Sequence, residues 1–124
     1  MKIPAQYLPV MPYLILQDAQ AFARFMRHVF KAEEQLIVPG ERGIMHGELK
    51  VGDAVIMFAN ATELWKPFPG SVFIYVEAVE GIFERAFAEG CKQLQELAQR
   101  EYGYGGGFED PFGNQWWVNT YTGE

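Results

Sequence analysis

Cysteine is nearly absent from this sequence: of 124 residues, only Cys91 carries a thiol. No intramolecular disulfide can form, and that usage fits a reducing cytoplasm. Long hydrophobic runs are missing as well. Pro4, Pro9 and Pro12 interrupt the apolar residues near the N-terminus, and no small-residue cleavage site follows. Neither a signal peptide nor a membrane span is expected. Basic residues are outnumbered, 10 against 16 acidic, for a net charge of -6. A chain with this balance repels phosphate backbones, so nucleic acid is excluded as the expected partner. The charge favours solubility and attracts cations weakly.

What is present points to one globular domain with a real core. Hydrophobic residues make up 49% and aromatic residues 15%, with 10 Phe, 6 Tyr and 3 Trp. That is more aromatic surface than a small core needs, so some rings are expected to line a pocket or an interface.

The pattern along the chain reads as strands and two helices. Val10 to Leu16 is a strand candidate with Pro12 near its start. Asp18 is placed as a helix N-cap. Phe22, Phe25, Met26, Val29 and Phe30 follow at helical spacing and form one apolar stripe. His28 lies off that stripe and reads as solvated. Glu33 to Val38, Ile44 to Val51 and Ala54 to Ala59 read as strands, the last two joined by a tight turn at Gly52-Asp53. Asn60 to Gly70 is a loop.

The second half repeats this order. Ser71 to Val76 is a strand, and a helix runs from about Val79 to Glu89 with Gly90 as its C-terminal glycine. Lys92 to Leu97 and Gln115 to Tyr121 are further strands. The halves align at a shift of about 60 residues. The fold class is therefore α+β: two tandem βαβββ modules, at about 8–60 and 70–122 within one domain over 1–124, with curved mixed sheets enclosing a cleft.

Strand alternation divides each sheet into two faces. One is mostly aliphatic and suits helix packing. Here Met45, Leu49 and Val51 are set on one side of their strand with Gly47, opposite Ile44, His46, Glu48 and Lys50. The other face mixes aromatic and ionisable groups and can form a cleft or an interface. His46 and Glu48, two apart on one strand, point the same way. They read as a base and its orienter, as anchors for a polar ligand, or as a hydrogen-bonded structural pair.

Three features stay open or negative. Trp65 and Phe68 on the long loop are either a lid or dimer contacts. The run Tyr104-Gly105-Gly106-Gly107 lacks a following helix and reads as a hinge into a strand rather than a phosphate loop. Cys91 has no evident base nearby and reads as structural.

Two motifs carry a family resemblance. The first is Pro12-Tyr13-Leu14-Ile15-Leu16-Gln17-Asp18 leading into the Phe-rich helix. The second is Glu109-Asp110-Pro111-Phe112-Gly113-Asn114-Gln115-Trp116-Trp117, a turn before the last strand. With these, the chain resembles the glyoxalase/bleomycin-resistance/extradiol dioxygenase (vicinal oxygen chelate) superfamily over nearly its whole length. Ile44-Met45-His46-Gly47-Glu48-Leu49 and the stretch from Tyr102 to Gly107 are similar to its PhnB-like branch. The fold hosts several chemistries, so the resemblance fixes no single activity.

In metal-binding relatives, four strand positions supply His, Glu or Gln. By resemblance those positions land on Met11, Met57, Ser71 and Trp117. A thioether is a poor match for hard divalent ions, and an indole offers no lone pair. The expectation is therefore no metal and no cofactor. The resemblance also implies a homodimer.

The expected ligand pocket is Tyr13, His46, Glu48, Met57, Phe73, Tyr75, Trp117 and Asn119. It would take a small, partly aromatic molecule, with a cationic group favoured by Glu48 and the ring faces. The alternative is a metal-dependent lyase, isomerase or dioxygenase using His46 and Glu48 at a non-standard site. No catalytic residue is assigned, and whether the protein is an enzyme stays open.

Overall fold

A computed structural model describes residues 1–123. The chain divides into two compact units, Met1–Pro69 and Gly70–Glu124. Each contains one sheet and one helix.

In the first unit, β1 (Tyr13–Leu16), α1 (Ala19–Val29), β2 (Glu33–Gly40), β3 (Gly43–Val51) and β4 (Ala54–Asn60) follow in order. The sheet order is β1-β4-β3-β2. β1 runs parallel to β4, and the other neighbours are antiparallel. In the second unit, β5 (Ser71–Tyr75), α2 (Val79–Ala88), β6 (Lys92–Arg100), β7 (Gly103–Glu109) and β8 (Gln115–Thr120) repeat the pattern. Their order is β5-β8-β7-β6, with β5 parallel to β8. The expected βαβββ repeat is thus present in both units. Among the described residues, no helix is long and apolar enough to cross a membrane.

α1 starts where Asp18 Oδ1 accepts the Ala21 amide at 3.0 Å, satisfying one of the free donors of a helix N-terminus. Its buried stripe of Phe22, Phe25, Met26 and Val29 covers the sheet face carrying Leu14, Leu16, Leu49, Ile56 and Phe58. Phe22 and Phe58 meet edge-on, with centroids 5.2 Å apart. Burial of each such side chain stabilises the fold by about 1.5–3 kcal/mol. Gly47 sits opposite Phe58 on the neighbouring strand, and the ring occupies the space a side chain at Gly47 would need.

α2 buries Val79, Ile82, Phe83 and Ala86. Phe83 stands perpendicular to Phe108 of β7 at 5.2 Å, and Trp116 and Val118 of β8 are fully buried. Gly90 takes φ 91 just past the helix, a conformation glycine adopts without strain.

Asp110 ties the turn before β8 together. Its buried carboxylate accepts the amides of Phe112 and Asn114, the Asn114 side-chain amide and the Trp116 indole N–H, all at 2.8–2.9 Å. Burial raises its pKa, and the bonds from Trp116, Asn114 and Phe112 oppose that without cancelling it.

Three local expectations are corrected. Strand β1 begins at Tyr13 rather than Val10; Pro9 and Pro12 withhold ladder donors there, and Val10 is exposed. The Tyr104–Gly107 run is not a hinge: it lies inside β7, paired on both sides. Most important, Met45 does not share the helix-facing side of β3. The β2–β3 ladder shifts register between Val38 and Pro39, where Met45 is the extra residue. A bulge reverses the alternation beyond it. Ile44 is therefore 5% exposed and Met45 62% exposed.

Candidate functional site

In the first unit the ladder sets Tyr13, Met57 and Glu48 abreast on the face opposite α1. The expected cleft residues of this half are thus neighbours. Yet Glu48 is only 2% exposed, and a buried carboxylate needs partners. It has three. The Tyr7 hydroxyl donates to it at 2.7 Å, the Gln35 side-chain amide at 3.0 Å, and His46 Nε2 lies at 2.8 Å. Burial by itself would raise the Glu48 pKa. The bonds from Gln35, His46 and Tyr7, with the charge of His46, outweigh that and hold it below the usual carboxylate range. The same bond to Glu48, aided by burial and by the carboxylate charge, raises the Tyr7 pKa.

An ionised carboxylate only accepts, so His46 Nε2 carries the proton when the ring is neutral. Its Nδ1 is then an acceptor. The Tyr13 hydroxyl lies 3.0 Å from that nitrogen and donates to it. Glu48, His46 and Tyr13 thus form a directed chain of hydrogen bonds. The ring of Tyr13 is tilted against His46 with centroids 5.6 Å apart.

Tyr7 and Gln35 are the partners that sequence reasoning missed. Gln35 sits at a second register shift, between Glu34 and Leu36, so simple alternation along β2 misplaces it. Tyr7 precedes the first strand in a proline-punctuated segment, where no periodicity exists to read.

Beside this chain lies a cavity of about 940 Å³, lined by Tyr13, Ile15, Arg42, Met45, Leu64 and Trp65 among others. Tyr13 is 47% and Trp65 65% exposed. Glu41 and Glu63 also line it, and Arg42 reaches Glu63 at 3.7 Å. The Trp65 loop is pinned: its amide donates to Thr62 Oγ1, and its carbonyl accepts the Thr62 amide. Phe68 instead bridges to Ile15 through backbone bonds. Met45 reaches the cavity only because of the bulge.

The second unit contributes a separate aromatic face. Phe73 pairs with Trp117 and Tyr75 with Asn119 across β5 and β8. Phe73 meets Tyr75 and Tyr102 edge-on at 5.1 and 5.8 Å, and Tyr75 meets Tyr121 at 6.4 Å. Both Phe73 and Tyr75 are about half exposed. The Tyr75 hydroxyl donates to the Tyr102 carbonyl. Trp117 lies across Gly107, and the Asn119 side chain lies across Gly105. Asn119 is buried, and among the described residues its Oδ1 has no partner.

The side chains at the four positions that the resemblance assigns to metal ligands are poor donors for a divalent ion. Met57 offers a thioether. Trp117 Nε1–H donates to Ser71 Oγ at 2.9 Å, and Ser71 in turn reaches Gln115 Oε1 at 3.4 Å. Neither Met11 nor Met57 supplies a hard oxygen donor. Among the described residues, no three of His, Cys, Asp and Glu gather to hold a metal. Cys91 is no substitute nucleophile: burial, then Asp110 and Glu89, push its thiol up to about 12.

Residues 8–118 match the family described as the Glyoxalase/Bleomycin resistance protein/Dioxygenase superfamily. No curated protein matches. Among solved structures, TioX from Micromonospora sp. ML1 is similar at 20% identity and TM-score 0.76, over 93% of this chain and 99% of that one. A PhnB protein from Bacillus cereus is similar at 18% identity and TM-score 0.70, over 91% and 99%. TnmS3, an antibiotic binding protein from Streptomyces sp. CB03234, is similar at 15% identity and TM-score 0.70, over 94% and 100%. At these identities the likeness is one of fold.

Proposed function

The chain belongs to the Glyoxalase/Bleomycin resistance protein/Dioxygenase superfamily, and from that premise we propose that it binds a small, partly aromatic molecule without a metal. The observation that carries this reading is the cavity in the first unit, where Tyr13 and Trp65 stand exposed beside Met45 and Leu64. Large apolar side chains left in contact with water at a concave surface favour a ligand that covers them. The rim carries Glu41 and Glu63 against Arg42. That excess of negative charge favours a neutral or cationic aromatic compound. The aromatic face of Phe73, Tyr75 and Trp117, with Asn119, belongs to the same reading as a second set of ligand contacts. The fold neighbour TnmS3, described as antibiotic binding, is in keeping with it.

Titration with proflavine and tryptamine, followed by tryptophan fluorescence, tests the reading. A saturable change that is lost in Trp65→Ala supports it. A flat response to both compounds overturns it.

The Glu48–His46 pair, with its carboxylate buried, favours a second reading, an enzyme built on those two residues. Metal analysis of untagged protein bears on its metal-dependent form; stoichiometric Zn, Fe, Mn or Ni would sink the metal-free proposal. The reading further includes a homodimer and a cytoplasmic location, the latter resting on the single thiol. Light scattering at micromolar concentration that finds only monomer refutes the dimer.

A further inference from the structure

We propose that Tyr13 is the acid–base group of a metal-free proton-transfer site, driven by a Tyr13–His46–Glu48 relay, that enolises an uncharged aromatic ketone in the first unit's cavity. The inference rests on that cavity being a ligand site and goes beyond binding.

Three observations converge on it. With Glu48 ionised and the ring neutral, His46 Nε2 at 2.8 Å must donate to Glu48 Oε2, which leaves Nδ1 to accept from the Tyr13 hydroxyl at 3.0 Å. The exposure is graded: Glu48 is buried, His46 is a quarter exposed, and Tyr13 is half exposed and lines the cavity. Finally, Glu48 is held ionised by partners on its other side, Tyr7 and Gln35. Here a fixed negative charge selects one tautomer and aims the basic nitrogen at a hydroxyl beside open space.

The step balances without a co-reactant. A C–H bond next to the ketone carbonyl breaks, and its proton goes to Tyr13 Oη. The proton already on Tyr13 passes to His46 Nδ1. The resulting imidazolium is stabilised by the Glu48 carboxylate beside it, which remains ionised. The substrate keeps the electron pair as an enolate, with the relay's imidazolium as the opposite charge. Return of a proton to carbon reverses the relay. Tyr13 is the catalytic residue; His46 and Glu48 are positioning residues that act through it.

The experiment uses 2-indanone, a flat uncharged ketone with acidic C–H bonds. Its loss of protons to D2O is followed by NMR, and its binding by quenching of tryptophan fluorescence. The wild-type protein is expected to accelerate exchange at least tenfold over buffer. Tyr13→Phe should lose that acceleration while keeping the quenching. His46→Gln should lower kcat at least tenfold with KM little changed. In the ¹⁵N spectrum of the neutral ring, His46 should carry its proton on Nε2, and Glu48→Gln should disturb that preference. Lys92→Gln, an exposed position on β6 of the other unit, should leave exchange unaltered. Exchange no faster than in buffer, whether or not the ketone binds, overturns the proposal. So does full exchange in Tyr13→Phe, or a proton found on Nδ1. Binding without exchange refutes the relay and leaves the pocket standing, whereas failure of the pocket itself is read from proflavine and tryptamine.

Discussion

Replacing Asp110 with alanine leaves four donors without their acceptor in a turn that water scarcely enters. Asp110 is 3% exposed, and Asn114 and Trp116 are fully buried. A hydrogen bond to a charged group contributes about 1.5–3 kcal/mol, and a stranded buried donor costs about 1–3 kcal/mol. The Phe112 amide lies in a half-exposed part of the turn, so it recovers water. The two Asn114 donors and the Trp116 indole do not. Offsetting this, alanine removes the burial penalty that raises the carboxyl pKa. The balance is a loss of about 3–5 kcal/mol. With a urea slope of about 1.5 kcal/mol/M, the midpoint falls by about 2–3 M. Equilibrium urea unfolding followed by circular dichroism and tryptophan fluorescence measures it. A loss below about 1 kcal/mol would refute the claim that these donors depend on Asp110. The pH dependence supplies a second check. A raised folded pKa means the native state binds the proton more readily than the unfolded chain. The gap between wild type and variant therefore widens as pH falls through the raised value toward the ordinary 3.8.

Glu48 has the opposite sign. Its folded pKa is lowered from 4.5, so its stabilisation is present above that value and lost as pH falls through the folded pKa. Thermal melts should find wild type and Glu48→Gln converging in that acidic window; parallel curves down to the lowest pH would contradict the shift. Gly47→Ala should destabilise by about 1–3 kcal/mol, because its Cβ would come within 2.4 Å of the buried Phe58 ring. A urea midpoint equal to wild type would mean that ring moves freely. Cys91, at about 12, should react with DTNB at pH 8 about a hundredfold or more slowly than a free thiol. Labelling at the free-thiol rate would show the burial to be overstated.

The sequence carries the repeat because each module writes it in elementary terms. The Phe22 to Val29 stripe has helical spacing, Asp18 has the short side chain that caps, and Gly90 tolerates a positive φ. Strand parity also carries Tyr13, Met57 and Glu48 onto one face correctly. Parity fails at the bulges, where an extra residue inverts every side chain beyond it. Met45 is misplaced for that reason, and with it part of the cavity's apolar wall; Gln35, at the other register shift, carries no local sign that it faces Glu48. Nothing local marks a bulge, since it depends on how two strands pair. Tyr7 is invisible for a related reason: its contact with Glu48 spans 41 positions. The glycine run from Gly105 to Gly107 reads as flexible by composition, yet the neighbouring strands hold it straight.

That run has a wider meaning for how the second unit can change. The Cβ of an alanine at Gly107 would fall 2.4 Å from the Trp117 ring, and one at Gly105 would fall 2.0 Å from the Val118 carbonyl oxygen. The relief of this surface is cut by subtraction: the indole is a tile laid on bare backbone and held at its edge by the Ser71 hydroxyl, and the backbone beneath it has no side chain to expose. Trimming the tile uncovers bare backbone and leaves the ladder untouched. Adding anything to the floor lifts the tile or breaks the ladder. Any change in the relief of this face would therefore run through position 117, while positions 105 and 107 stay locked.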